Sequence, residues 1–159
     1  MSIEAVKKYL EQWSLEDRVQ EFTTSSATVE LAAEALSVIP ARIAKSMSFK
    51  TKEGCIIIVA AGDGRVNNGK FKAAFGEKAK MVPLEEVQEL TGHPVGGVCP
   101  FALKEGVKVY LDKSLERFDT VFPAAGTPSS AIELNLEELF ISSKALAWVD
   151  VCKIPEQIY

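Results

Sequence analysis

Apolar and polar residues follow two periods along this chain. Ile3, Val6, Leu10 and Trp13 recur at helical spacing, so "MSIEAVKKYLEQW" is predicted as an amphipathic helix capped by Ser2. "DRVQEF" (17–22) alternates like a short strand, and "SSATVELAAEAL" (25–36) reads as a second helix starting near Ser26–Thr28. Thr28 has a glutamate nearby, but not at capping-box spacing. In "IAKSMSFKT" (43–51) the period is two: Ile43, Lys45, Met47 and Phe49 share one face, Ala44, Ser46, Ser48 and Lys50 the other. Lys45 is the oddity, a cation in an apolar register. "CIIIVAA" (55–61) is a continuous apolar run, which predicts a buried central strand.

Turn residues open "GDGRVNNGKFKAAFG", which then continues as a short helix through Phe71 and Phe75. "PLEEVQELTG" is a helix with Pro83 near its start and Gly92 just past its end. "KVYLD", "TVFPAA" and "AIELN" are predicted as short strands and "LEELFISSKA" as a C-terminal helix. With no repeat and no linker, the pattern implies a single α/β domain over 1–159. Its mixed β-sheet is expected to be curled and barrel-like, surrounded by helices.

Composition narrows the picture only a little. A chain of 159 residues with 47% hydrophobic and 25% charged residues can bury a core without disulfides or metal. No apolar run is long enough to cross a bilayer, so no membrane partner is expected. The N-terminus lacks the apolar stretch of a signal peptide, and three scattered cysteines form no framework of pairs, which together predict a cytoplasmic location. The net charge of −4 opposes broad binding to nucleic acid but leaves room for a local basic site.

Candidate chemistry is defined first by what is missing. One histidine and scattered cysteines give no metal-ligand set, and there is no phosphate-binding glycine motif and no nucleophile elbow. Neither a metal nor another cofactor is expected. His93, beside Pro94, reads as a turn residue at a helix end. Cys99 is a possible nucleophile, but nothing adjacent lowers its pKa.

What remains is backbone chemistry. Gly96-Gly97-Val98-Cys99-Pro100 spells G-x-x-x-P: the glycines permit positive φ and close approach of a ligand, and Pro100 restrains the chain after them. Amides so arranged form an oxyanion site for an ester or amide carbonyl, or else an ordinary tight turn. Lys45 needs a charge partner, a route to solvent or an anionic ligand. Gly126, Thr127, Ser129 and Ser130 lie at a strand-to-strand turn whose hydroxyls either line a polar pocket or merely connect strands.

Taken in order, "IAKSMSFK", "CIIIVAAGDGRVN", "ELTGHPVGGVCPFAL" and "GTPSSAIEL" resemble the YbaK/prolyl-tRNA synthetase-associated domain family over nearly the whole chain. The resemblance implies a trans-editing aminoacyl-tRNA deacylase, related to the editing domain of prolyl-tRNA synthetases. Its substrate would be tRNA-Pro, or a related tRNA, carrying a small wrong amino acid. The implied partners are the aminoacyl-tRNA 3′ end and a cognate aminoacyl-tRNA synthetase. By position, Lys45 matches the lysine that holds the terminal adenosine phosphate region, and Gly96 to Pro100 match the loop facing the aminoacyl carbonyl. Thr127 to Ser130 match the segment shaping the amino-acid pocket, with Met47, Gly126 and His93 as further substrate-binding candidates. Prolyl-tRNA synthetase editing domains carry a histidine in that last segment, and this chain does not. Catalysis would use bound water, a ribose hydroxyl and loop amides; selection by pocket size separates substrates differing by a methylene by roughly 1–3 kcal/mol. Two other classes fit the same residues: a non-catalytic module binding a tRNA end or a protein, and a small-molecule esterase or amidase.

Overall fold

The computed structural model describes residues 3–155. Helix α1 (Ile3–Leu10) follows the expected stripe, but Glu11–Trp13 tighten into a 3₁₀ turn that ends at Ser14 in a left-handed conformation. Ser2, the expected cap, lies outside the described residues. The strand expected over 17–22 shrinks to β1 (Gln20–Glu21), because Glu16–Arg18 form a second 3₁₀ turn. Both β1 residues are exposed, so no buried face holds a longer strand in register. Helix α2 (Val29–Leu36) starts at Thr28, whose Oγ1 accepts a hydrogen bond from Leu31 N at 3.1 Å.

Strands β2 (Ile43–Thr51) and β3 (Gly54–Ala61) form the central antiparallel hairpin, with Lys45 opposite Ala60. Beyond it come β4 (Arg65–Val66), α3 (Asn68–Phe75), α4 (Leu84–Thr91), β5 (Lys108–Asp112) and β6 (Thr120–Pro123). The expected strand "AIELN" is broken: β7 (Ser130–Ala131) pairs with β1, whereas β8 (Leu134–Asn135) pairs with β6. Helix α5 (Leu136–Ser142) opens on a capping box in which Asn135 and Glu138 exchange hydrogen bonds of 2.7 and 3.0 Å. Strands β9 (Ala147–Val149) and β10 (Cys152–Lys153), like β4, are too short to imprint a period on the sequence.

The main sheet has six strands in the order β8-β6-β2-β3-β5-β9, mixes parallel and antiparallel neighbours, and curls into a half-barrel. A separate ladder joins β4 to β10, with Arg65 opposite Lys153. Alternation along β3 explains its unbroken apolar sequence. Ile57, Val59 and Ala61 enter a core closed by Val6 and Leu10 of α1, while Ile56, Ile58 and Ala60 enter a second core with Phe71 of α3. Each large side chain so buried stabilises the fold by about 1.5–3 kcal/mol. A third cluster packs Ala32 and Ala33 of α2 on Ile43 and Phe122. No helix among the described residues is long and apolar enough to cross a membrane.

Candidate functional site

One face of β2 carries three small side chains, Ala44, Ser46 and Ser48. They border a cleft of about 230 Å³, which Val82, Val98 and Ala124 also line. A second, more open groove of about 800 Å³ adjoins it, lined by Glu30, Asp63, Arg65 and Asn68 among others. Val29, Lys45, Met47 and Met81 line both and so form the ridge between them.

Lys45 is the charged member of that ridge. Its Nζ donates to the Gly64 carbonyl, and it enters no ion pair among the described residues. Burial lowers its pKa below the ordinary lysine value; Arg65 pushes the same way, while Cys152, Asp63 and Glu30 push back. Asp63 is committed elsewhere: Arg117 grips its carboxylate with two hydrogen bonds of 2.5 and 3.1 Å. Lys50 pairs with Glu86 at 2.6 Å and Lys70 with Asp150 at 2.9 Å, and neither they nor the exposed Lys72 line the two clefts.

The G-x-x-x-P loop follows α4 and borders the smaller cleft through Gly96 and Val98. Its two glycines serve different ends. Gly96 has φ +88°, which a side chain would strain. Gly97 does not have a positive φ; it is needed for close contact, since a Cβ there would lie 3.0 Å from Thr127 Cα and 3.1 Å from the Gly126 carbonyl oxygen. Gly97 N donates to the Pro94 carbonyl at 3.0 Å, whereas the amides of Gly96 and Val98 donate to nothing among the described residues.

Cys99 and Pro100 turn away from the cleft and are buried with His93. His93 follows the end of α4 in a bend of the chain and is buried: its exposure is 0%, and its Nε2–H donates to the Phe101 carbonyl at 2.6 Å. The Cys99 thiol lies 3.5 Å from His93 Nε2 and donates to the same carbonyl at 3.6 Å. Burial pushes the thiol up to about 12 and the imidazole below its usual value, which opposes a thiolate–imidazolium pair. His93 lines neither cleft.

The 126–130 turn mostly satisfies itself. Thr127 Oγ1 and Ser130 Oγ are 2.9 Å apart, Ser130 Oγ donates to the Thr127 carbonyl at 3.2 Å, and Ser129 N donates to Thr127 Oγ1 at 3.3 Å. Of this group Ser130 lines the smaller cleft, while Gly126, Thr127 and Ser129 stand behind it. Sequence reasoning missed Ser46, whose buried Oγ has no hydrogen-bond partner among the described residues. It also missed Arg65, hidden in a turn-rich stretch, and an exposed apolar rim of Met81, Leu84 and Val95.

Residues 23–140 match the aminoacyl-tRNA editing domain family. The uncharacterized protein YwhH of Bacillus subtilis is 53% identical over 154 residues, covering 96% of this chain and 98% of YwhH. The proline–tRNA ligase of Thermosipho africanus is 36% identical over 133 residues, or 82% of this chain but 23% of the ligase. A crystal structure described as a candidate trans-editing enzyme for prolyl tRNA synthetase is 29% identical and superposes with a TM-score of 0.85, over 96% of this chain and 99% of that one. A matched region of this extent, in a fold of this likeness, leads to one conclusion: the chain belongs to the aminoacyl-tRNA editing domain family.

Proposed function

We propose that the protein is a trans-editing deacylase that hydrolyses the ester of a mischarged aminoacyl-tRNA, with tRNA-Pro carrying a small wrong amino acid as substrate. One observation carries the reading: a single cleft is lined by Lys45 together with Gly96 and Val98, whose amides are uncommitted among the described residues. The aminoacyl group occupies the smaller cleft and the terminal adenosine the open groove, so Lys45 on the ridge stands beside the ribose that joins them and takes the 5′-phosphate of that ribose. The Gly96 and Val98 amides take the oxyanion that develops when water attacks the ester carbonyl. No side-chain nucleophile is required, because the ester is activated and alignment supplies much of the rate. Met47 and Ser130 bound the aminoacyl group, and the Thr127–Ser129 turn fixes the loop from behind. A related proline–tRNA ligase and the similarity to a candidate trans-editing structure support the choice of tRNA-Pro. A cognate synthetase is the partner that would supply such a substrate.

The test is release of amino acid from tRNA-Pro charged with alanine, serine, threonine, cysteine or 2-aminobutyrate, alongside correctly charged tRNA. Release from one or more mischarged forms, sparing prolyl-tRNA, is expected. No release from any would leave a non-catalytic binding module, and equal hydrolysis of simple aminoacyl esters would make the protein a small-molecule esterase.

A further inference from the structure

We propose that the tRNA acceptor-stem backbone crosses the β4–β10 ladder, where Arg65, Lys153 and Lys113 neutralise its phosphates. This inference rests on the deacylase reading for the placement of the 3′ end and adds the surface that the rest of the tRNA uses. Arg65 and Lys153 are direct cross-strand partners, both exposed, and neither joins an ion pair among the described residues. Like charges facing each other across a ladder are destabilising in the absence of an anion. Arg65 lines the groove that reaches the Lys45 ridge. Lys153 and the exposed Lys113, with Lys70 and Asp150, line a further cleft of about 330 Å³. Cations therefore run from Lys45 through Arg65 and Lys153 to Lys113. Two neighbouring acids are already occupied, Asp63 by Arg117 and Asp150 by Lys70. In a chain of net charge −4, this tract suits a polyanion leading away from the groove.

The experiment compares the wild type with the Lys113→Gln/Lys153→Gln double variant in binding an uncharged tRNA-Pro transcript and a CCA trinucleotide across a salt series. Expected are a roughly tenfold weaker Kd for the transcript, a log–log salt slope shallower by about 2, unchanged trinucleotide binding and an undiminished melting temperature. An unchanged Kd and slope for the transcript would overturn the proposal. So would equal weakening of both ligands, or a loss seen only after a synthetase is added, which would make the tract a protein-docking surface. Because the transcript is uncharged, the surface is judged independently of hydrolysis: a wild type that binds through this tract yet deacylates nothing would sink the deacylase reading alone.

Discussion

Gly97 and Thr127 stand backbone to backbone, close enough that a methyl group added to Gly97 would lie 3.0 Å from Thr127 Cα. The contact couples the G-x-x-x-P loop to the turn behind it. Gly97→Val should therefore destabilise the protein by about 1–3 kcal/mol through overpacking, and displace the loop. Loss of one aligned oxyanion donor costs on the order of 10²–10³ in rate. Gly96→Ala acts differently: its φ of +88° costs about 1–2 kcal/mol, and its Cβ meets Ala27 Cβ at 3.3 Å. Thermal melting and single-turnover deacylation check both, and normal turnover by folded Gly97→Val protein would demote the loop to an ordinary turn.

The same pair of glycines marks where legibility ended. Strand β2 follows its sequence pattern from Ile43 to Thr51, because a strong period of two meets buried neighbours on both faces. The inward register of Lys45 was visible for the same reason. That Gly97 serves packing rather than positive φ was not, because its partner is thirty residues away. The complete burial of His93 and Cys99 was not legible either, because sequence proximity does not report burial. Ser46 was silent because a serine alternating with apolar residues reads as a solvent face, and here that face borders a cleft. The opposition of Arg65 and Lys153 joins two segments that share no local pattern.

Lys45→Ala should leave the protein folded, since it removes a charge that burial already disfavours. Deacylation should fall about ten- to a few hundred-fold in kcat/KM, the equivalent of one charge-assisted hydrogen bond of about 1.5–3 kcal/mol. The Lys45-dependent part of the rate requires the ammonium form. It is fully present well below the lowered pKa and fades as pH rises through it, beginning below the ordinary 10.5. Single-turnover rates across pH, with melting on the same samples, measure this; wild-type rates from a folded variant would leave Lys45 a solvent-reaching strand residue.

Cys99→Ser should retain activity to within about threefold, because a thiol held near 12 and fully buried supplies no thiolate at neutral pH. The serine hydroxyl can still donate to the Phe101 carbonyl. Mass spectrometry of the quenched reaction is the check, and an acyl group trapped on Cys99 would show that the chemistry is covalent.

His93 predicts loss of stability in acid. Above its ordinary value of 6.5 the imidazole is neutral in both the folded and unfolded states and adds no pH dependence. As pH falls through 6.5, the unfolded chain binds a proton that burial denies the folded one, so stability declines down to the lower folded value. His93→Gln keeps a donor near the Phe101 carbonyl but cannot titrate. Denaturant unfolding from pH 7.5 to 5 should show a shallower decline for this variant; parallel curves would remove His93 as the cause.

Ser46 separates stability from function most sharply. Its hydroxyl is buried without a partner among the described residues, and an unpaired buried polar group costs about 1–3 kcal/mol. Ser46→Ala should therefore raise the melting temperature while enlarging the cleft only by the volume of one oxygen. Ser46→Val has the β-branched shape that suits a strand, and it adds two methyl groups beside Val59, its cross-strand neighbour. In the structure those methyls have a cleft of about 230 Å³ to enter, so the protein should fold. The space they take is the space assigned to the aminoacyl side chain, so the variant should lose larger substrates first. The ratio of 2-aminobutyryl- to alanyl-tRNA deacylation measures this directly. An unchanged ratio in well-folded Ser46→Val protein would mean that the aminoacyl group binds elsewhere than over β2.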